Sequence, residues 1–210
     1  MLQILGKTPS INVRKVLWLC AELDLPHTHE EWGAGFQSTD TEGFRALNPN
    51  ATVPVLRDGD FVLWESNAIC RYLARQYHTS QSAKLFPVAP RDAALVEQWM
   101  DWQANELNVA WRYAFMSLVR KSSEHTDAAA VAASVRQWNR LMRILDGQLA
   151  TTGAYVTGPD FGLADIVLGL SVHRWLMAPI ERPALPAIQA YYERLQLHPG
   201  FTRYASPQLP

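Results

Sequence analysis

The 210-residue chain has only two cysteines, no block of like charges and no apolar run long enough to cross a bilayer. Each shortage removes a class of function. Cys20 and Cys70 form no Cys-x-x-Cys pair, and both fall in helical patterns. They read as small buried side chains, not as a redox centre. The formal net charge is -1, from interspersed Asp, Glu, Lys and Arg. That balance leaves no electrostatic footprint for nucleic acid or an anionic membrane, so neither is expected as a partner. The first residues, Met1-Leu2-Gln3-Ile4-Leu5-Gly6-Lys7, lack the basic, apolar, small order of a secretory leader, and the expected setting is the cytoplasm. The six histidines are scattered; His27 and His29 alone could share a strand face, and no metal is expected.

What remains is ample for a fold, with 48% hydrophobic residues. Residues 2–5 read as a short strand, residues 10–23 as a helix and residues 27–31 as a second strand. In the helix Val13, Leu17 and Cys20 form an apolar stripe, with Val16 and Leu23 beside them. A loop over residues 32–41 leads to a short helix that Asn48-Pro49 ends. Residues 78–90 are polar, then punctuated by proline, and read as a linker. Everything beyond is helical in pattern: residues 91–121, 126–150, 162–178 and 184–197, with a loose tail over 206–210. Mixed strands and helices followed by helices alone give an α/β domain over 1–77 joined to an all-α domain over 91–210.

One stretch carries more. In Asn48-Pro49-Asn50-Ala51-Thr52-Val53-Pro54-Val55-Leu56 a proline sits just inside an apolar run, where it belongs at a strand start or edge. A cis Val53-Pro54 bond is expected there, leaving neighbouring backbone groups free for a ligand. Asp58-Gly59 then makes a tight hairpin into Phe61-Val62-Leu63-Trp64. Glu65-Ser66 follows, with Ser66 the expected N-cap of a helix that carries Ile69, Tyr72, Leu73 and Tyr77 on one face. Each piece alone is ordinary. Their order, behind an earlier strand-helix-strand unit, is not.

That order resembles the N-terminal, thioredoxin-like domain of the glutathione transferase superfamily, in its bacterial, serine-activated, theta- or delta-like form. The similarity extends to Phe161-Gly162-Leu163-Ala164-Asp165-Ile166, which resembles the superfamily's capping box at the start of a central buried helix. Gly162 stands where Ser or Thr is usual, so Asp165 keeps only the half of the box that reaches back to the Gly162 amide. Asp165 is therefore read as structural.

The resemblance implies glutathione as co-substrate and Ser10, in Ser10-Ile11-Asn12-Val13-Arg14, as the group that activates its thiol. A cysteinyl thiol near pKa ~8.5 is only a few per cent ionised at neutral pH, and the thiolate is the nucleophile. A hydroxyl at a helix start can donate to the sulfur while the terminal amides add positive partial charge. Asn12 and Thr8 compete for that role. Val53 and Pro54 are implied for the cysteinyl unit, Glu65 and Ser66 for the γ-glutamyl end, and Gln37 and Asn50 for the glycyl carboxylate. Arg14 and Lys15 are expected to point away along the helix. Trp111, Arg112 and Phe115 are the electrophile-pocket candidates, while Trp99 and Trp102 read as packing or interface.

The activity so implied is conjugation of glutathione to electrophilic, apolar small molecules. Alternatives are a non-catalytic glutathione-binding module, or a glutathione-dependent peroxidase or dehalogenase. A homodimer is implied as well, with Arg71 and Arg75 facing Asp92, Glu97 and Asp101 of the second copy.

Overall fold

The central strand β1, Leu2–Leu5, places Leu2, Ile4 and Leu5 in the interior of a four-stranded sheet of order β2-β1-β3-β4. The computed structural model describes residues 1–77 and 80–205. His78 and Thr79 of the expected linker, and the expected tail, lie outside the described residues. Strand β2, His27–Glu30, runs parallel to β1; β3, Val55–Asp58, and β4, Phe61–Trp64, are antiparallel to their neighbours. The polar residues of β2 suit its edge position, where an apolar strand would invite a second chain.

Helix α1, Ile11–Glu22, is buried from Val13 through Cys20, including Arg14 and Lys15. Those two basic residues are each 1% exposed, in the interior with the apolar stripe. Helix α2 is Glu42–Leu47, and its start is capped by the Thr41 hydroxyl, which accepts the Phe44 amide at 3.2 Å. Helix α3, Ser66–Gln76, packs against α1. Its N-cap is Glu65, not Ser66 as expected: Glu65 takes a left-handed φ of 72° and Ser66 is already helical. Helix α4, Ser80–Leu85, stands inside the segment that reads as linker.

The β3–β4 turn is Gly59-Asp60, one residue beyond the expected pair. The shift has a cause. Asp58 stays in register with Phe61, and its carboxylate accepts from Tyr72 and Tyr77 at 2.8 and 2.7 Å, so Gly59, at φ 62°, takes the turn.

The chain divides into two units, Met1–Val88 and Ala89–Pro210. The second is helical. Helix α5, Pro90–Trp102, passes through a π-helical turn at Gln103–Leu107 into α6, Asn108–Leu118. Helices α7, Ala128–Thr152, α8, Leu163–Met177, α9, Pro186–Leu195, and a short α10, Pro199–Tyr204, complete it. Helix α8 is its core, buried from Leu163 to Trp175. At roughly 1.5–3 kcal/mol for each fully buried large apolar side chain, this helix is a main source of that unit's stability.

Asp165 secures its start. One carboxylate oxygen accepts the Gly162 amide at 2.8 Å, and the other accepts the Val156 amide at 2.9 Å and the Tyr191 hydroxyl at 3.0 Å. Burial pushes this carboxyl up to about 6 against the pull of those donors. Among the described residues no helix is long and apolar enough to cross a membrane.

Candidate active site

The strand register gathers residues far apart in sequence. Leu5, the last residue of β1, lies opposite Val55, the first of β3, and Val55 lies opposite Trp64, the last of β4. The turn after β1, the loop before β3 and the segment after β4 therefore leave the sheet at one end. They carry Ser10 and Asn12, then Asn50, Val53 and Pro54, then Glu65 and Ser66. Leu5 is also opposite Glu30, so the loop after β2, with Gln37, leaves at that end too. With strands about 4.8 Å apart, the span from β1 across β3 to β4 is about 10 Å, the scale of an extended tripeptide.

The turn from β1 into α1 is packed tightly. A Cβ placed on Gly6, whose φ is 153°, would come within 2.5 Å of Val13 and 3.0 Å of Val53. Gly6 is what lets the α1 start and the Val53-Pro54 segment meet. The Val53-Pro54 bond is cis, as expected. Thr8, one of the alternative sulfur donors, is engaged elsewhere: its amide and hydroxyl both donate to the Glu31 carboxylate, at 3.0 and 2.5 Å. Lys7 donates to the Ala34 carbonyl at 3.2 Å, tying the same turn to the loop after β2.

Ser10 is the N-cap of α1, with extended backbone, yet its hydroxyl makes no capping hydrogen bond. A serine serving only as a cap would accept an amide of the first turn. Asn12 is half-buried, and its Oδ1 is buried without a partner among the described residues. Ser66 is 6% exposed and has no side-chain partner among the described residues. Two helix N-termini, those of α1 and α3, thus face this end with their hydroxyls uncommitted. Both favour anions.

The loop before Val53 is organised by a residue that the sequence reading assigned only to a helix end. Asn48 is 1% exposed; its Nδ2 donates to the Thr52 carbonyl at 2.8 Å, and its Oδ1 accepts the Asn50 amide at 3.0 Å. Ala51, at φ 52°, completes the tight loop. The Asn50 side chain is drawn onto Asn48 Oδ1 at 3.2 Å, whereas Gln37 is exposed. An asparagine before proline at a helix end is the signal that could have flagged Asn48 as a loop organiser.

The electrophile candidates on α6 do not share a wall. Trp111 and Phe115 meet edge to face at 5.3 Å in the interior of the helical unit, both under the Arg174 guanidinium at 4.5 and 4.2 Å. Arg112, a helical step of about 100° away, is exposed instead. The Trp111 indole N–H is buried without a partner among the described residues. Trp99 and Trp102 pack edge to face at 5.1 Å, in line with a packing role.

Burial pushes the Cys20 and Cys70 thiols up to about 12, so neither supplies a thiolate at neutral pH. Among the described residues no group of His, Cys, Asp and Glu is placed to hold a metal ion. Two helix starts with uncommitted hydroxyls at one sheet end suit an acidic ligand.

Both units resemble known proteins. The family described as glutathione S-transferase, N-terminal domain, matches residues 9–76, and the glutathione S-transferase C-terminal domain matches residues 128–194. Glutathione S-transferase GstB of Escherichia coli (strain K12) is 37% identical over 202 residues, which span 95% of each chain. A theta class glutathione S-transferase from Xanthomonas axonopodis pv. citri, solved with glutathione bound, superposes with a TM-score of 0.90 at 42% identity, covering 98% of this chain and 97% of that one. A glutathione S-transferase from Pseudomonas fluorescens gives a TM-score of 0.81 at 27% identity, over 95% and 96% of the two chains.

Proposed function

Because the chain belongs to the glutathione S-transferase family, we propose that it joins the sulfur of glutathione to electrophilic, apolar small molecules. The observation that carries this reading is the uncommitted Ser10 hydroxyl at the start of α1, at the sheet end where Val53-Pro54 and Glu65-Ser66 also emerge. In the proposed pose the tripeptide lies across that end. Its cysteinyl unit pairs with the Val53 backbone beside Pro54, and its γ-glutamyl carboxylate meets Ser66 and Glu65 at the α3 N-terminus. Gln37 and the Asn48-held loop with Asn50 take the glycyl end.

Ser10 then donates a hydrogen bond from its hydroxyl to the sulfur, keeping its proton, and the free amides of α1 add positive partial charge. Lowering a thiol pKa by about two units needs about 2.7 kcal/mol of preference for the anion, which one hydroxyl bond and a helix terminus can supply together. The thiol proton leaves to solvent. The thiolate forms a bond to the electrophilic carbon, whose leaving group departs with its bonding pair, or whose conjugated system takes the charge and is then protonated. Asn12 is the second candidate donor. On the helical unit, Trp111 and Phe115 pack in the interior and Arg112 is exposed, so these three residues form no common wall for the electrophile.

The proposed working form is a homodimer, with Arg71 and Arg75 of α3 meeting Asp92, Glu97 and Asp101 of α5 across the two copies; light scattering at micromolar concentration tests it. The proposed setting is the cytoplasm. The reaction is tested by titrating glutathione, following thiolate absorbance, then assaying a panel of aryl halides, enones and hydroperoxides. Conjugation with the first two supports the proposal. Turnover of hydroperoxides alone would replace it with a peroxidase.

A further inference from the structure

The turn that carries Ser10 is held from outside as well as from within. The Ser10 amide donates to the Lys7 carbonyl at 2.9 Å, which closes Lys7-Thr8-Pro9-Ser10 into a turn. Proline in the third place of the common turn is disfavoured, because it pushes the residue before it away from helical backbone. Outside support comes from β2 and the loop after it. The Gly6 amide donates to the Glu30 carbonyl at 2.9 Å, and His29 Nε2 donates to the Gly6 carbonyl, which can only accept, at 2.7 Å. Lys7 reaches the Ala34 carbonyl. The tie from Glu31 is built most closely around the turn itself. One oxygen of this half-buried carboxylate accepts the Thr8 amide at 3.0 Å and the other accepts the Thr8 hydroxyl at 2.5 Å, so both donors that Thr8 possesses are engaged by one group. Holding the two together fixes the Thr8 side chain and the direction of its amide, and Pro9 fixes its own φ at about −65°. Few rotations are left between that grip and Ser10.

We propose that Glu31 is a positioning residue for Ser10: by gripping both donors of Thr8 it sets the direction in which the Ser10 hydroxyl leaves the turn, and it keeps the Thr8 hydroxyl from turning to the same sulfur. This rests on the assignment of Ser10 above. A hydrogen bond weakens steeply as its angle closes, so a hydroxyl that wanders supplies less of the stabilisation a thiolate needs. Charge alone works the other way. An anion near the α1 start opposes a second anion, so losing Glu31 for its charge would ease ionisation of the bound thiol, whereas losing its grip would hinder it. The grip is the larger effect, because the carboxylate is engaged by two donors and its half-exposed setting screens the charge.

The test follows thiolate absorbance against pH, at saturating glutathione, in wild type, Glu31→Ala, Ser10→Ala and the double variant. Glu31→Ala should raise the pKa of the bound thiol by about half a unit to one unit and cut turnover at neutral pH by about three- to tenfold, with KM for glutathione within about twofold. Glu31→Gln keeps an acceptor for the Thr8 amide and should recover part of the loss. In a Ser10→Ala background the Glu31→Ala change should add less than about twofold, because the hydroxyl through which it acts is already gone. Thermal melts show whether each variant is folded; should Glu31→Ala not fold, Thr8→Val removes the hydroxyl half of the grip and should show the same non-additive loss, by about threefold. A thiol pKa that falls or stays unchanged in folded Glu31→Ala, or a fully additive loss in the double variant, overturns the proposal. A Ser10→Ala variant that titrates like wild type overturns instead the assignment of Ser10 on which it stands.

Discussion

Helix α8 and helix α1 each carry a polar side chain near the start that could cap it, Asp165 at the third position of one and Ser10 at the N-cap of the other, and they use it in opposite ways. At α8 the Asp165 carboxylate is saturated by two amides and a tyrosine hydroxyl, all buried. At α1 the Ser10 hydroxyl meets no amide at all. A buried polar group whose partners lie within the chain holds the fold, because removing it strands those partners away from water. One left uncommitted at a helix start holds no partner within the chain and is available to a ligand. The contrast marks Asp165 as a residue that holds the fold and leaves Ser10 as the candidate for a ligand-facing hydroxyl.

The largest effect should come from breaking the saturated end. Asp165→Ala leaves three buried donors without an acceptor, and should lower the unfolding free energy by about 3–5 kcal/mol. Urea or thermal unfolding checks it; glutathione affinity of the folded fraction should stay within twofold. The same carboxyl predicts a pH trend. Its folded value, about 6, stands above the ordinary 3.8, so between these the folded state binds more protons than the unfolded one. Stability from this group is therefore greatest below about pH 4 and declines as pH rises through about 6. Asp165→Asn should remove that slope, seen as a wild-type advantage over the variant that shrinks across the window.

The uncommitted end should respond in the reverse sense. Ser10→Ala should change unfolding by less than about 0.5 kcal/mol but raise the pKa of the bound thiol by one to two units, cutting turnover at neutral pH by about ten- to a hundredfold. The deficit should close as pH rises and the thiolate forms unaided. Thiolate absorbance against pH for wild type, Ser10→Ala and Asn12→Ala decides the donor. A shift in Asn12→Ala alone gives the role to the amide whose Oδ1 is buried without a partner. No shift in either leaves it to the α1 backbone.

How much of this was legible in the sequence depends on the range of the forces involved. The Asp-Gly hairpin, the helix starts and the half capping box are local, set by turn chemistry within a few residues, and they emerge in place or with shifts of one or two residues. Those shifts come from long-range contacts: Tyr72 and Tyr77 hold Asp58 in the strand, and the close of β4 puts Glu65 rather than Ser66 at the cap. The inward turn of Arg14 and Lys15 was invisible because an apolar stripe describes one face, whereas α1 is buried on nearly every side from Val13 to Cys20. Likewise the aromatics of α6 read as one cluster in sequence, yet helical geometry sends Trp111 and Phe115 inward and Arg112 outward. The convergence of three segments at one sheet end depends on the register of Leu5, Val55 and Trp64, which no local pattern encodes.

The smallest effect sharpens the comparison most, because it lies at a second uncommitted hydroxyl. Ser66 is only 6% exposed and has no side-chain partner among the described residues, yet the proposed pose gives it the γ-glutamyl carboxylate, remote from the sulfur. A charge-assisted bond of that kind is worth about 1.5–3 kcal/mol at most, and water re-entering a serine-sized gap recovers part of it. Ser66→Ala should therefore weaken glutathione binding by about five- to tenfold and leave stability within about 0.5 kcal/mol. Since the contact is the same in ground and transition states, KM for glutathione should rise while kcat at saturation stays nearly constant, the opposite split from Ser10→Ala. If Ser66→Ala instead lowers stability and leaves affinity unchanged, Ser66 belongs with Asp165 among the residues that hold the fold, and the carboxylate of the ligand lies elsewhere on the sheet end.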